Sequence, residues 1–171
     1  AYDWTLEQLK GRLRQLYRQA QLHHFVDKDG AEHPKFVNLD MEEYGDLHLT
    51  MDAFMQVLDE PEFLHYRAGI VLQGYLPDST PAQQQLTEWA LERVARGGAS
   101  IKLRLVKGAN LAMEQVTADL HGWEQAPYTS KGDVDANFKR MVTYGCDPER
   151  IQAVHLGIAS HNLFDMAYAL L

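Results

Sequence analysis

The chain has 171 residues, of which 46% are hydrophobic and 23% charged, a profile typical of a globular domain with one core. Its formal net charge of −8, without a basic stripe, argues against nucleic acid as a partner of this segment. The single cysteine, Cys146, excludes a disulfide framework and fits a reducing compartment, and no apolar run is long enough to cross a membrane. The sequence starts without methionine and with neither a signal peptide nor a transit peptide, so we expect a piece of a longer protein.

Helical and extended patterns alternate along the chain. Thr5 with Gln8 forms a capping-box pattern at the start of the first helix, and Thr80 with Pro81 is typical of another helix start. Continuous apolar runs of strand length lie between the helices. In chain order, the predicted elements are a helix at 5–23, a turn at 27–30, a strand at 35–39, a helix at 49–58, a strand at 69–72, a helix at 81–96, a strand at 101–106, a helix at 111–120, a long loop at 121–131, a helix at 133–144, a strand at 153–158 and a helix at 163–171.

This order of elements predicts a parallel sheet covered by helices. No glycine-rich dinucleotide fingerprint follows any strand, which argues against a Rossmann fold. The expected fold class is therefore α/β, a partial (β/α)8 TIM-like barrel of about four parallel strands with flanking helices, because four strands cannot close a barrel. Polar residues follow the carboxyl ends of these strands, where barrel enzymes have their active sites, namely Asp40, Gln73, Arg104, Lys107, His161 and Asn162.

The stretch from Ile101 to Leu111 places two cations at the end of a strand. Arg104 and Lys107 do not fit a buried strand unless an anionic group meets them. Gly108 permits a tight exit, and the helix that follows would offer its N-terminal amides to a phosphate. The stretch therefore suggests an anion site, although pairing of both cations with surface acids explains it equally well.

Four segments resemble the successive strand-end motifs of bacterial proline dehydrogenases, in the right order along the chain. They are Phe36–Glu43, Gly69–Ser79, Leu103–Ala109 and Gly157–Asn162. The resemblance covers nearly the whole chain from Lys35 onward and points to the catalytic barrel of the bifunctional kind, which also carries a glutamate-semialdehyde dehydrogenase domain. It implies that residues 1–171 are the middle strands of this barrel, with the first strands and the final strands and helix missing.

The resemblance implies a flavoenzyme that oxidises L-proline to 1-pyrroline-5-carboxylate. Hydride would pass from the carbon next to the ring nitrogen to N5 of FAD, and the electrons would then pass to quinone. The resemblance also implies a cytoplasmic location, with peripheral association of the parent protein at the inner membrane, and it leaves the oligomeric state open. The histidines, including His23, His24 and His33, lack metal-ligand spacing, so no metal is expected.

The resemblance further assigns roles to individual residues. Asp40 and Arg104 are expected to be catalytic, with Asp40 and Gln73 beside the flavin and its ribityl chain and Arg104 close to N5, where a fixed cation stabilises developing negative charge. Leu105 and Ala109 are expected to face the substrate. The other expected cofactor-binding residues, which follow the cofactor towards its pyrophosphate and adenosine end, are Val106, Lys107, Gly108, Ala109, Tyr128, Thr129, Lys131, Ala159, Ser160, His161 and Asn162.

Two departures from the family pattern limit these expectations. Asn110 and Leu111 stand where some members carry an aromatic pair, one of which contacts substrate. The family's substrate-binding lysine precedes Ala1, and its carboxylate-binding arginine pair follows Leu171. We therefore expect the 171 residues alone neither to oxidise proline nor to fold stably, because half a barrel exposes two sheet edges and an apolar face.

Two other functions fit parts of the pattern. Lys107 at a barrel strand end could instead form a Schiff base, as in a class of aldolases, and borohydride trapping of a carbonyl substrate would reveal it. A non-catalytic barrel remnant that binds flavin or a partner would retain its cofactor without proline-dependent bleaching. His161, which follows a strand, is also compatible with a purely structural role.

Overall fold

A computed structural model describes residues 1–171. The helices are α1 (Tyr2–Leu22), α2 (Leu47–Leu58), α3 (Ser79–Ala95), α4 (Leu111–His121), α5 (Lys131–Gly145) and α6 (Leu163–Leu170). The strands are β1 (His24–Val26), β2 (Glu32–Pro34), β3 (Val37–Leu39), β4 (Ala68–Gln73), β5 (Ile101–Val106) and β6 (Val154–Ala159). No helix combines the length and the apolar character that crossing a bilayer requires.

Strands β3 to β6 form one parallel sheet in the order β3-β4-β5-β6. Neighbours in the sheet are also consecutive in the chain, and one or two α-helices connect each pair. Between β5 and β6 the pairing runs in register from Ile101 with Val154 to Val106 with Ala159. The prediction of a partial (β/α)8 barrel is confirmed, and all four strands present their carboxyl ends at the same edge of the sheet.

The two faces of the sheet differ in polarity. Leu103 and Leu105 of β5 are fully buried in a hydrophobic core that the sheet shares with the helices, as is Leu72 of β4. Arg104 and Val106 alternate with these residues along β5 and are more exposed. Because side chains alternate between the faces of a strand, one face of the sheet forms the core and the other is left to line a pocket.

A short antiparallel hairpin of β1 and β2 precedes the sheet, and the sequence pattern did not predict it. Oδ1 of Asp27 accepts hydrogen bonds from the backbone N–H groups of Asp29 and Ala31, both at 2.9 Å, which closes the predicted turn at 27–30. All residues of the two strands are exposed. Strands of three exposed residues carry too little periodicity to be recognised from sequence.

Two threonines that were predicted to cap helices do not do so. Helix α1 begins before Thr5, whose Oγ1 donates to the carbonyl oxygen of Ala1 at 3.2 Å. Helix α3 begins one residue before Thr80, whose Oγ1 donates to Oδ1 of Asn137 at 2.7 Å. The predicted caps are wrong because each hydroxyl lies inside its helix and donates a hydrogen bond, whereas a capping oxygen accepts one from a backbone N–H.

Arg93 of α3 is a charged residue whose side chain is fully buried. Its guanidinium donates only to backbone carbonyl oxygens, which belong to Leu58, Phe63, Leu64, Tyr66 and Ala99. These bonds join α3 to the end of α2, to the segment before β4 and to the segment before β5. Arg93 therefore fixes the amino ends of two central strands at the edge of the sheet opposite the strand-end polar residues.

Candidate functional site

A pocket of about 860 Å³ lies at the carboxyl ends of β3 to β6. Its volume is within the range of about 300–1,000 Å³ that is typical of small-molecule sites. The predicted site residues that line it are Asp40, Gln73, Arg104, Val106, Lys107, Gly108, Ala109, Lys131, Ala159, Ser160, His161 and Asn162. The structure thus brings polar residues from four successive strand ends to one pocket, as the sequence pattern predicted.

Arg104 and Asp40 are opposite charges on the pocket side of the sheet. Nη1 of Arg104 lies 4.0 Å from Oδ2 of Asp40, at the limit of an ion pair. The exposed fractions of the two side chains are 47% and 59%. Water therefore weakens their attraction, and the guanidinium keeps N–H donors for a ligand.

Gln73 is almost fully buried at the end of β4 and holds the loop that follows β3. Its Nε2 donates to the carbonyl oxygens of Met41 at 2.7 Å and Glu42 at 3.2 Å. Nδ2 of Asn110 donates to the same Glu42 carbonyl at 3.3 Å. These bonds fix the backbone next to Asp40, so Gln73 both lines the pocket and positions its neighbouring loop.

Gly108 follows β5 with a φ of 119°, a conformation that favours glycine. The ring of Tyr75 packs against it and fills the space that a side chain would need. The backbone N–H of Tyr75 also donates to the carbonyl oxygen of Lys107 at 2.7 Å. The sequence suggested that Gly108 allows a ligand to approach closely. The structure gives a second reason for a glycine here, because the segments that follow β4 and β5 pack closely against each other.

Lys107 lies between two carboxylates that come from different helices. Its Nζ contacts Oδ1 of Asp135 in α5 and lies 2.7 Å from Oδ2 of Asp165 in α6. Burial acts to lower the pKa of Lys107, but hydrogen bonds to the two carboxylates outweigh it and raise the pKa overall. The ammonium is therefore charged and already neutralised, so it adds no net positive charge to the pocket. A Schiff-base lysine must lose its proton, and this arrangement argues against the aldolase alternative.

Asp135 and Asp165 were not predicted as site residues. Asp135 also lies 2.5 Å from Nζ of Lys131, and its hydrogen bonds to Lys107 and Lys131 lower its pKa. Asp165 is 3% exposed and accepts a hydrogen bond from Oγ of Ser160 at 2.9 Å. Nothing in the sequence distinguishes Asp135 from an ordinary acidic residue on a helix surface. Asp165 carries a weak signal, since an acid within the largely apolar segment 163–171 requires a partner when it is buried.

Three predicted residues do not line the pocket. Leu105 is fully buried in the hydrophobic core, on the opposite face of β5 from Arg104, which argues against its predicted contact with substrate. Tyr128 and Thr129 lie in the loop between α4 and α5, where the backbone N–H of Tyr128 donates to the carbonyl oxygen of Tyr75 at 2.8 Å. The contact of these two residues with a cofactor stays a prediction.

The chain as a whole matches one family model. The model described as "Proline dehydrogenase" matches residues 3–171. The chain belongs to the proline dehydrogenase family. This family is generally flavin-dependent. No curated protein matches the chain significantly.

This structure closely resembles solved structures of proline utilization A (PutA) proteins. PutA from Corynebacterium freiburgense is 56% identical over 98% of this chain, with a TM-score of 0.89. PutA from Bdellovibrio bacteriovorus, inactivated by N-propargylglycine, is 37% identical over 99% of this chain, with a TM-score of 0.85. Each match spans 16% of the PutA chain. These likenesses support a PutA-type proline dehydrogenase domain, as the sequence motifs suggested.

Proposed function

We propose that this chain supplies the cofactor-facing part of a barrel that oxidises L-proline to 1-pyrroline-5-carboxylate. The observation that carries the proposal is the convergence of Asp40, Gln73, Arg104 and His161, from four successive strand ends, on one pocket of a proline dehydrogenase family member. Because the chain spans 16% of the PutA chains it matches, the activity belongs to a longer protein. In that protein, residues 1–171 contribute the middle strands of the barrel and are inactive alone.

The donors around the pocket fit FAD as the cofactor. A flavin that gains negative charge needs a nearby cation, and Arg104 has donors that Asp40 does not occupy fully. A pyrophosphate needs cations and backbone donors. Lys131, with 81% of its side chain exposed, and His161, exposed on the turn before α6, meet that need on the far side of the pocket. Arg104 therefore suits a flavin ring, and Lys131 with His161 suits a pyrophosphate.

The roles of the residues follow from these positions. FAD, when bound, would supply the hydride acceptor for the carbon next to the ring nitrogen of proline. Arg104 would donate hydrogen bonds near N5 and stabilise negative charge there, with the Asp40 carboxylate beside its guanidinium. Gln73 holds the loop beside the ribityl chain. Further contacts with the cofactor come from the backbone of 106–109, from Lys131 and from 159–162, while Tyr128 and Thr129 extend the site towards adenosine.

The substrate side of the pocket is less complete. Ala109 lines the pocket, and Asn110 replaces an aromatic residue of some family members. Since Asn110 donates to the Glu42 carbonyl, it contributes a polar contact to the loop where a ring would contact substrate. The groups that bind the carboxylate of proline are proposed to come from the rest of the barrel. Quinone as the final electron acceptor, and cytoplasmic location with peripheral membrane association, complete the proposal.

Anaerobic flavin bleaching in the full-length protein tests this function. We expect a yellow protein whose flavin absorbance falls on addition of L-proline. The variant Arg104→Met should retain flavin but lose most of the reduction rate, whereas Arg12→Met, which changes an exposed arginine of α1, should behave as the wild type. An unchanged rate in Arg104→Met would remove Arg104 from its role. Retained flavin without any bleaching in the wild type would instead indicate a non-catalytic flavin-binding protein.

A further inference from the structure

A chain of four charged side chains and one hydroxyl runs along one wall of the pocket. It links Lys131, Asp135, Lys107, Asp165 and Ser160 in that order. The members come from the first turns of α5, from the residue that follows β5, and from α6 with the turn before it. The two positive and two negative charges balance, so the chain of ion pairs serves to hold these three parts of the fold together.

Asp165 has the most constrained position in this chain. Only 3% of the residue is exposed, and its Oδ2 accepts from both Nζ of Lys107 at 2.7 Å and Oγ of Ser160 at 2.9 Å. The Ser160 hydroxyl in turn accepts from the backbone N–H of Asn162 at 3.1 Å. Because the Ser160 hydroxyl donates its hydrogen bond to Asp165, the lone pairs of its oxygen face the backbone of the turn.

The turn at residues 160–162, which Asp165 holds through Ser160, lines the pocket. Ser160, His161 and Asn162 all line the pocket, and so does Lys107. Asp165 itself does not line it and is separated from a ligand by the residues it holds. One buried carboxylate thus fixes the end of β5 relative to the turn after β6 on two sides of the same cavity.

We infer that Asp165 is a positioning residue, which sets the distance between the end of β5 and the His161 turn and thereby the affinity of the pocket for its dinucleotide. This inference rests on the proposed function, since it takes FAD as the ligand. Removing the charge frees Lys107 and Ser160 together, and a charged hydrogen bond of this kind is large enough to change affinity by about tenfold. Asp165 takes no part in hydride transfer, so turnover at saturating FAD should not depend on it.

The test compares variants of the full-length protein for FAD binding and turnover. Asp165→Asn keeps the shape and removes the charge, and Ser160→Ala breaks only the link to the turn. We expect both to raise the dissociation constant for FAD, Asp165→Asn by about tenfold or more. Both should also alter the visible circular dichroism of bound flavin, and in Asp165→Asn kcat and the proline KM at saturating FAD should stay unchanged. Asp133→Asn, an exposed carboxylate in the first turn of α5, is the matched control and should leave FAD affinity unchanged.

A double variant separates positioning from a loss of folding. Asp165→Asn leaves the Lys107 ammonium with Asp135 as its carboxylate partner, so Asp165→Asn combined with Lys107→Met removes both charges of the broken ion pair. We expect this variant to keep the wild-type unfolding temperature and still bind FAD more weakly. Wild-type FAD affinity and flavin spectrum in the double variant and in Ser160→Ala would overturn the inference, as would an equal loss in Asp133→Asn. A wild-type protein that binds no flavin would instead contradict the proposed function.

Discussion

A Cβ atom at position 108 would lie 2.1 Å from Cδ1 of Tyr75, so Gly108 and the Tyr75 ring occupy one continuous space. The two residues belong to the segments that follow neighbouring strands, β5 and β4. Their contact sets how closely these segments approach each other at the pocket. A glycine that looks like a ligand-binding feature in the sequence is therefore also required by the packing of the protein itself.

Substitution of Gly108 by alanine should destabilise the full-length protein and displace Tyr75. The positive φ costs about 1–2 kcal/mol and the overlap with the ring about 1–3 kcal/mol more. Thermal unfolding checks the sum. Gly97→Ala is the matched control, because Gly97 also has a positive φ, 85°, but open space around its Cβ position. An equal loss of stability in the two variants would show that the Tyr75 contact contributes nothing.

The variant Leu105→Ala should lower stability without changing substrate affinity. Leu105 is fully buried among the helices, and loss of such a side chain costs about 2–5 kcal/mol. Thermal unfolding and the KM for proline, measured below the unfolding transition, separate the two effects. A large rise in KM with little loss of stability would contradict the core position and restore the contact with substrate.

Replacement of the buried Arg93 by methionine should be among the most destabilising single changes in this domain. Five backbone carbonyls would lose a donor, and only those of Phe63 and Leu64 would keep a hydrogen bond from a backbone N–H. Each unsatisfied buried group costs about 1–3 kcal/mol, so we expect a loss above about 4 kcal/mol. Arg96→Met is the control. Arg96 pairs with Asp59 at the surface, where such ion pairs contribute about 0–1 kcal/mol. Similar unfolding temperatures for the two variants would refute the role of Arg93.

Stability should fall at acid pH partly because of Asp135. Its hydrogen bonds to Lys107, and then to Lys131, lower the pKa in the folded protein below the ordinary value for aspartate of about 3.9. The ion pairs are therefore fully stabilising above that ordinary value and are lost as the pH falls through the lower, folded value. Asp135→Asn should flatten the loss of unfolding temperature below about pH 4. Asp133→Asn should leave the pH profile as in the wild type, and a parallel profile in Asp135→Asn would contradict the prediction.

The sequence predicted the sheet well because three of its strands, β4, β5 and β6, are continuous or alternating apolar runs between helices. Parallel strands share one carboxyl edge, so the meeting of Asp40 and Arg104 follows from the order of elements alone. The alternation of buried and exposed residues in β5 also indicates that Leu105 faces away from the pocket. Side chains two residues apart share a face, which groups Leu105 with Leu103 and opposes it to Arg104.

Other features depend on contacts between residues far apart in the chain, which local patterns do not encode. The Lys107 ammonium meets Asp135 and Asp165 only because α5 and α6 pack against the end of β5. Whether a cation after a strand serves a ligand or an ion pair is decided by such packing. The sequence left both interpretations open, and the structure assigns Lys107 to an ion pair while leaving Arg104 accessible to a ligand.

The strand order β3-β4-β5-β6 has a consequence for how the protein is made. Within this sheet, each new strand pairs with the strand synthesised just before it. During translation the sheet can thus grow by one strand and its connecting helices at a time as the chain leaves the ribosome. Each added strand would cover the open edge of the strand before it, and an open edge is the part of a sheet that invites aggregation.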